Sequence, residues 1–282
     1  MELDINFLKK IAIDVFDAIN PLLGTKKAAI KFKKGAGGDI SMNIDLLAED
    51  VIINSLEKAN ADLLLISEEL GEKYIGDEEK AKKNHNVLIV DPLDGSFNAV
   101  RGVPYCSVSI AYAIGNQLSD IKKAVVLNLN TKDLYWAEKG KGAYLNGSKI
   151  HVSNVDILQK CFFELNLSMK NLVENLMILS PIIKRFYRVR ILGSTALTIC
   201  LIAKGSIEAF INLRKSNRLV DVAAGILILK EAGGKFFPLN ENIFVEKLSI
   251  NLRFPFIACN NKLESFLKKE FILKKEKKIE SS

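Results

Sequence analysis

The stretch VLIVDPLDGS, residues 87–96, joins an apolar run directly to two carboxylates, a glycine and a serine. The run predicts a buried strand, which Pro92 and Gly95 end abruptly. Asp91 and Asp94 would therefore lie at the carboxyl end of a strand, the edge where open α/β sheets bind ligands. Buried carboxylates need a positive partner, and a hard divalent cation such as Mg²⁺ is the natural one. Taken alone, the same residues could equally form an Asx-turn that caps the next helix.

Acidic residues in two other segments favour a metal site over such a turn. Glu68 and Glu69 follow the apolar run 63–66, a second predicted buried strand, and Asp221 lies in the helix predicted over 220–231. Each alone would suit a solvated loop or a helix start, where an acid complements the macrodipole. Together, three distant segments each place an acid at the end of an element. Two-metal phosphoryl-transfer sites are assembled from such pieces.

These residues resemble the inositol monophosphatase family of Mg²⁺-dependent, lithium-sensitive sugar phosphatases. The resemblance rests on Glu68-Glu69, on D-P-L-D-G-S at 91–96, and on L-V-D-V-A-A-G followed by E-A-G-G within 219–234. It extends in the same order from the first predicted helix to Cys259. The glycine-rich loop at 34–39 and the acid of Asn43-Ile44-Asp45 are similar to the family's mobile loop and the acid that follows it.

The resemblance implies a metal role for each acid of the signature. Glu68, Asp91 and the backbone carbonyl of Leu93 would hold one Mg²⁺ ion. Asp91, Asp94 and Asp221 would hold a second, so that Asp91 bridges the two ions. Two or three ions per site are expected, and Mn²⁺ would be able to substitute for Mg²⁺.

The resemblance also implies which residues act on the attacking water. Ser96 stands where the family usually has Thr, and it keeps the hydroxyl that orients the water. Asp45 would polarise that hydroxyl, so Asp45, Glu68 and Ser96 form the predicted catalytic set. The backbone amides of Gly95 and Ser96 begin a short predicted helix, and helix N-termini bind phosphate.

The predicted substrate contacts come from both halves of the chain. The turn Gly193-Ser194-Thr195 resembles the family's substrate-contacting turn, although Ser194 alone could simply cap a helix. Arg190, just before this turn, is also a predicted substrate residue and a candidate for binding a second phosphate. Asn212 lies near the position where animal-type members carry an acid that reads the inositol ring. Arg214 resembles archaeal-type members that act on both inositol monophosphate and fructose 1,6-bisphosphate. Arginine suits a bidentate grip on a second phosphate, and an exposed basic loop is the alternative. The substrate set also includes Asp94, Gly95 and Ser96.

The order of the predicted elements divides the chain into two halves and a tail. Residues 1–151 begin with two helices and continue with many short strands, which indicates an α+β half with an antiparallel sheet. Residues 152–270 alternate strands and helices, which indicates an α/β half with a mostly parallel sheet. Residues 271–282 form a Lys-rich tail. The resemblance implies the same arrangement, a five-layered αβαβα sandwich with the active site between the halves.

Composition narrows the function classes further. No apolar run approaches ~18 residues and no signal peptide opens the chain, so we expect a cytoplasmic protein without a membrane segment. Four cysteines occur singly in apolar segments, which favours buried free thiols, and two histidines argue against a His-rich zinc centre. The net charge of +7 is concentrated near the C-terminus. It lacks the aromatic-interleaved basic stripe of nucleic-acid binders, so a small anionic substrate is favoured.

The sequence therefore predicts a Mg²⁺-dependent phosphomonoesterase that hydrolyses inositol 1-phosphate, fructose 1,6-bisphosphate or both. A metal-activated water would attack the phosphorus, and the family resemblance implies a homodimer. Two alternatives stay open. One is a 3′(2′),5′-bisphosphate nucleotidase of the same superfamily, and the other is a non-catalytic anion- or nucleic-acid-binding protein that keeps the fold. Against the latter, every side chain predicted to bind metal is an acid.

Overall fold

The computed structural model describes residues 2–36, 40–167, 169–239 and 243–279, in which eight α-helices accompany three β-sheets. The helices are α1 (Ile5–Ile19), α2 (Asn43–Lys58), α3 (Glu78–Asn84), α4 (Ser96–Arg101), α5 (Leu172–Ile183), α6 (Thr195–Ala203), α7 (Ala223–Glu231) and α8 (Glu264–Ile279). The strands are β1 (Lys31–Lys34), β2 (Ile40–Met42), β3 (Leu63–Ser67), β4 (Gly71–Ile75), β5 (Asn86–Asp94), β6 (Ser107–Ile114), β7 (Ile121–Asn128), β8 (Leu134–Glu138), β9 (Gly142–Leu145), β10 (Ser148–Ile150), β11 (Phe162–Asn166), β12 (Arg188–Arg190), β13 (Ala209–Asn212), β14 (Lys235–Pro238) and β15 (Phe256–Cys259).

The larger sheet has eight strands in the order β10-β9-β8-β7-β6-β5-β3-β4. Its neighbours pair antiparallel except β3 and β5, which run parallel. Every residue of β5 is buried, because helices cover both faces of the sheet. Leu88 and Val90 pack with α1 and α2, whereas Val87 and Ile89 pack with α6 and α7. The continuous apolar run of β5 therefore reflects a strand in the middle of three layers.

The smaller sheet has five strands in the order β12-β11-β13-β15-β14, and α5 and α8 pack on its outer face. Together the layers form the predicted αβαβα sandwich. As predicted, the sheet is mostly parallel in strand direction, because four of its five strands run the same way and β15 alone runs opposite to them. β11 pairs parallel with β12 and β13, but β15 pairs antiparallel with β13 and β14. The crossover through α7 does make β14 parallel to β13, and the returning strand β15 is then inserted between them.

Several local predictions are confirmed. The first helix ends before Pro21, and Asn146 and Gly147 adopt positive φ in the turn between β9 and β10. The four cysteines are buried and free. No helix in the described ranges combines the length and apolar character that crossing a membrane requires. Residues 37–39 of the glycine-rich loop and residues 280–282 of the Lys-rich tail lie outside the described residues.

Candidate metal and phosphate site

Three of the predicted acids meet at the carboxyl edge of the larger sheet. Ser67 of β3 pairs with Val90 of β5 in parallel register, so the next residues, Glu68 and Asp91, leave the same edge together. Asp221 lies in the turn just before α7, not within the helix as the sequence predicted. Each of the three acids is buried and offers a carboxylate oxygen within 4.8 Å of the others. The described chain thus brings a possible metal-ligand set together from three segments.

A bulge aims Asp91 and Asp94 toward the same face of the sheet. Residues three apart on a regular strand point to opposite faces. Here the three-residue step from Asp91 to Asp94 opposes a two-residue step from Ser109 to Ser107 on β6. Pro92 suits this place, since it cannot donate to the strand ladder and is found at bulges. Both carboxylates consequently face the layer formed by α6 and α7.

The surroundings of Asp91 fit a divalent cation. Asp91 is fully buried, its Oδ1 accepts from the Leu93 amide at 3.1 Å, and its Oδ2 has no hydrogen-bond partner among the described residues. Burial, and then the nearby charges of Glu68, Asp94 and Asp221, raises the pKa of Asp91 well above its usual range. Burial likewise raises the pKa of Glu68 to about 8. Crowded carboxylates with an unused buried oxygen are the donor set that hard cations such as Mg²⁺ or Mn²⁺ take.

An arginine without a role in the sequence prediction lies inside this acidic cluster. The Arg218 guanidinium donates from Nη1 to Glu68 Oε1 and from Nε to Asp221 Oδ1, the latter at 3.1 Å. Its backbone amide also donates to Asp221 Oδ2 at 3.0 Å. The sequence feature that comes closest to indicating this contact is the position of Arg218 in a basic segment, three residues before Asp221. That spacing alone could not show that the side chain turns inward.

Asp94 binds the first turn of α6. Its carboxylate accepts from Ser194 Oγ at 2.6 Å, from the Thr195 amide at 3.1 Å and from the Ala196 amide at 2.7 Å. Burial, with the Asp221 charge adding to it, raises the pKa of Asp94 to about 6. Asp94 is not one of the three acids whose oxygens lie within 4.8 Å of one another, although its charge adds to the rise in the pKa of Asp91. In this structure it therefore caps α6 and joins the two halves of the chain.

Ser96 and Asp45 lie together at one side of the site. Gly95 has a φ of +94°, and a Cβ there would lie 3.1 Å from the Tyr105 carbonyl, so glycine is required. Ser96 then starts α4, and its Oγ donates to the Leu93 carbonyl at 3.0 Å. Asp45 is buried, with Oδ2 accepting from the Met42 amide at 2.8 Å and Oδ1 lacking a partner among the described residues. Burial raises its pKa, and the Met42 amide and then the nearby Ser96 hydroxyl oppose that rise.

A cavity of about 490 Å³ opens above these groups. Its lining includes the acids, Gly95, Ser96 and Leu93, and it continues to the exposed ring of Phe97. The second half of the chain completes the wall with Asn166, Gly193, Thr195, Arg214, Ser216, Arg218 and Arg253. The cavity therefore pairs an acidic floor with a basic rim, which suits a phosphorylated ligand held through metal.

The remaining predicted substrate residues are placed differently from one another. Gly193, Thr195 and Arg214 line the cavity, whereas Ser194 is buried against Asp94. Asn212 is also buried, and its amide group bonds Asn217 Oδ1 at 2.9 Å and the Arg214 backbone at 3.1 Å. Arg190 does not line the cavity, and its guanidinium lies 5.1 Å from the centre of the Phe162 ring. The structure thus does not bring Asn212 or Arg190 to the substrate side.

A buried acid that the sequence analysis passed over supports the turn at 192–195. Glu164 of β11 accepts from Thr198 Oγ1 at 2.6 Å and from the Leu192 amide at 3.1 Å. Burial raises its pKa to about 7. Its sequence context was an ordinary apolar strand, which gave no sign of these contacts. Glu164 therefore holds Leu192 and Thr198, which flank the cavity-lining Gly193 and Thr195, without lining the cavity itself.

Comparisons with known proteins identify the family to which the chain is similar. The model of the inositol monophosphatase family matches residues 2–274. A fructose-1,6-bisphosphatase/inositol-1-monophosphatase of Methanothermobacter thermautotrophicus is 37% identical over 243 residues, 83% of this chain and 85% of that protein. The crystal structure of an inositol monophosphatase-fructose 1,6-bisphosphatase superposes with a TM-score of 0.80 at 29% identity, covering 96% of this chain and 100% of that one.

A second kind of relative is longer. A bifunctional NADP phosphatase/NAD kinase of Methanococcus maripaludis is 36% identical over 277 residues, which cover 91% of this chain but 47% of that protein. A protein of the same description from Methanocaldococcus jannaschii is 33% identical and is covered to 49%. The chain therefore spans about half the length of these curated relatives.

Replacing Asp91 separates metal binding from folding. Asp91→Asn replaces a buried carboxyl whose ionised form the nearby carboxylates repel, so the melting temperature without metal should stay unchanged or rise. The rise in melting temperature that Mn²⁺ produces in the wild type should be lost. Asp94→Asn is the matched control, because it breaks charge-assisted bonds to α6 and should cost about 1.5–3 kcal/mol of stability. Differential scanning calorimetry with and without Mn²⁺ measures both, and an undiminished Mn²⁺ response in Asp91→Asn would contradict the metal assignment.

The pH dependence of stability tests the buried state of Glu164. Its pKa is raised from 4.5 to about 7 in the native state, so the native protein binds a proton that the unfolded chain has already released. Protonation of Glu164 therefore favours the native state. Its contribution to the free energy of unfolding is complete below pH 4.5 and is lost as the pH rises through about 7. Glu164→Gln lacks the titration, so between pH 4.5 and 8 its free energy of unfolding should gain up to about 3 kcal/mol relative to wild type. Urea unfolding at each pH measures the difference, and a pH-independent difference would contradict the raised pKa.

Proposed function

The chain belongs to the inositol monophosphatase family of phosphatases, and we propose that it uses Mg²⁺ to hydrolyse inositol 1-phosphate and fructose 1,6-bisphosphate. The observation that carries this proposal is the group Glu68, Asp91 and Asp221, whose carboxylate oxygens lie within 4.8 Å of one another under a basic-rimmed cavity. The relatives named for both activities cover most of this chain and are themselves largely covered by it.

The metal site supplies what phosphate-ester hydrolysis needs most. Bound Mg²⁺ would lower the pKa of a water and neutralise charge on the phosphate and the leaving oxygen. Glu68, Asp91 and Asp221 are the side chains that would hold it, with the unpartnered Oδ2 of Asp91 as the most available oxygen. Asp94 keeps the neighbouring turn in place through its bonds to α6.

Asp45 and Ser96 would orient the attacking water. The Ser96 hydroxyl now donates to the Leu93 carbonyl, and the nearby Asp45 Oδ1 is buried and lacks a donor among the described residues. If the hydroxyl proton turns to Asp45 Oδ1, the Ser96 lone pairs become acceptors for a proton of the water. A proton held along this path leaves the water oxygen directed at the phosphorus.

Arg214 is the residue that would bind a second phosphate. Its side chain is exposed on the cavity wall, and its backbone is fixed by the buried Asn212 side chain at 3.1 Å. A planar guanidinium on a fixed loop can bind a phosphate through two parallel hydrogen bonds. Fructose 1,6-bisphosphate carries such a second phosphate and inositol 1-phosphate does not.

A 2′-phosphorylated dinucleotide such as NADP is the second candidate substrate. Two long relatives are named for NADP phosphatase activity, and this chain matches about half the length of each. Phe97 lines the cavity next to Ser96 with 74% of the residue exposed. An exposed ring at a phosphate site can stack against a base. The same feature suits a 3′(2′),5′-bisphosphate nucleotidase.

A substrate panel tests the proposal directly. Phosphate release from inositol 1-phosphate, fructose 1,6-bisphosphate, adenosine 3′,5′-bisphosphate and NADP should require Mg²⁺ or Mn²⁺ and should stop in excess chelator. Excess Ca²⁺ should inhibit, since its longer and looser coordination disturbs an octahedral site. We expect the two sugar phosphates to give the highest kcat/KM. Full activity in chelator would refute the metal dependence, and a marked preference for NADP would favour the second candidate.

The roles of Ser96 and Asp45 are tested by a double-mutant cycle. Ser96→Ala keeps the backbone amides but removes the hydroxyl, so kcat should fall on the order of 10²-fold with little change in KM. Asp45→Asn should cause a similar loss. Because both groups would act on one water, the double variant should be far less impaired than the product of the single losses. Multiplicative losses would show that the two residues act independently.

Arg214 is tested by comparing two substrates. Arg214→Ala should lower kcat/KM for fructose 1,6-bisphosphate by roughly 10- to 150-fold, the loss of one charge-assisted contact. Inositol 1-phosphate should lose much less. Arg214→Lys should fall between, because lysine keeps the charge without the planar fork. Arg190→Ala is the control, since Arg190 does not line the cavity. Equal losses on both substrates would remove Arg214 from the second-phosphate site.

A further inference from the structure

Arg218 places a positive charge where the proposed metal would bind. Its guanidinium contacts Glu68 and Asp221, two of the three acids whose oxygens lie within 4.8 Å of one another. Asp221 gives both of its oxygens to Arg218, Oδ1 to the guanidinium and Oδ2 to the backbone amide at 3.0 Å. Arg218 therefore binds two of the three acids that would hold the metal.

The backbone of Arg218 is held by hydrogen bonds on both sides, so the fold fixes the point from which the side chain starts. Arg218 forms an isolated antiparallel bridge with Arg253, and the Leu219 amide donates to the Leu252 carbonyl at 3.0 Å. The preceding Asn217 is buried and bonded to Asn212 at 2.9 Å. Only the long side chain beyond this anchored backbone is able to change position. A guanidinium at its end can leave the acids without any rearrangement of the sheet.

The charges around Arg218 explain its inward direction. Glu68, Asp91, Asp94 and Asp221 are all buried within this small region. The guanidinium lowers the pKa of Glu68, Asp91 and Asp45, which burial raises. Without a metal ion, Arg218 thus supplies positive charge to acids that would otherwise repel one another.

A divalent cation and the guanidinium compete for the same oxygens. Mg²⁺ requires oxygen ligands at about 2.0–2.1 Å in a near-ideal octahedron. An ion between Glu68, Asp91 and Asp221 would stand within a few ångströms of the guanidinium, where two positive charges repel strongly. The shared carboxylates cannot give their best geometry to both at once.

We propose that Arg218 is an internal counter-ion that stabilises the metal-free site and must yield Glu68 and Asp221 when a divalent cation binds. Arg218 thereby lowers the affinity of the site for metal and keeps the ion exchangeable. This inference rests on the proposed metal site but not on the identity of the substrate. The opposite role, a clamp that holds Glu68 and Asp221 ready for metal, predicts the reverse change in affinity.

Metal titration without substrate distinguishes the two roles. Isothermal titration calorimetry with Mn²⁺ should show that Arg218→Met binds the ion about tenfold more tightly than wild type. The melting temperature of the metal-free variant should be lower than that of wild type, and saturating Mn²⁺ should close the gap. Arg218→Lys should show a smaller gain in affinity, because lysine keeps a charge but cannot bind both acids as a fork.

Arg253→Met is the matched control for a general effect of charge. Arg253 lines the same cavity, and its guanidinium donates to the Ser216 carbonyl at 3.1 Å. Its loss should change Mn²⁺ affinity by less than about twofold. If Arg218→Met does not fold, Arg218→Gln provides the uncharged comparison.

Weaker or unchanged Mn²⁺ binding by the uncharged Arg218 variants would overturn the inference. So would an equal gain in Arg253→Met, which would mean that only the overall field matters. A wild-type protein that binds no Mn²⁺ would instead refute the proposed function, so the two failures are distinguishable.

Discussion

Several buried carboxylates crowd one edge of the larger sheet, and the elements packed around that edge hold them in place. Parallel pairing of β3 and β5 sets Glu68 beside Asp91, and the bulge in β5 turns Asp94 to the same face. Such a cluster costs stability wherever its charges are not neutralised. The residues around the cluster offset this cost by donating hydrogen bonds and positive charge to the carboxylates.

Each acid is held by a different part of the chain. Asp94 is bonded to the first turn of α6, and Asp221 to Arg218. The turn that carries Glu68 is fixed by Glu49 of α2, which accepts from Ser67 Oγ and from the Leu70 amide at 3.0 Å. Helices on both faces of the sheet therefore hold the site. A change in the packing of either layer would reach the ligand atoms, which is how a rigid fold positions a metal to within a fraction of an ångström.

The sequence predicted the parts of this arrangement that depend on local pattern. Apolar runs that end in acids indicated β3 and β5. The three-part signature of acids predicted the family and, with it, the sandwich fold. The inward turn of Arg218 and the contacts of Glu164 depend on residues distant in sequence, so no local sequence pattern could predict them. The same holds for β15, whose insertion between β13 and β14 made the smaller sheet mixed. Asn212 resembled a substrate contact by position, yet its side chain bonds Asn217 within the protein.

The most direct test of the account is the position of metal in the crystal. Crystals grown with Mn²⁺ would be measured at the manganese absorption edge, and the anomalous difference map would locate the ions independently of activity. We expect a peak among Glu68, Asp91 and Asp221, with Asp91 as a ligand through Oδ2 and the Arg218 guanidinium withdrawn from it. At saturating Mn²⁺, a cluster without an anomalous peak and with Arg218 still bound to Glu68 and Asp221 would contradict this expectation.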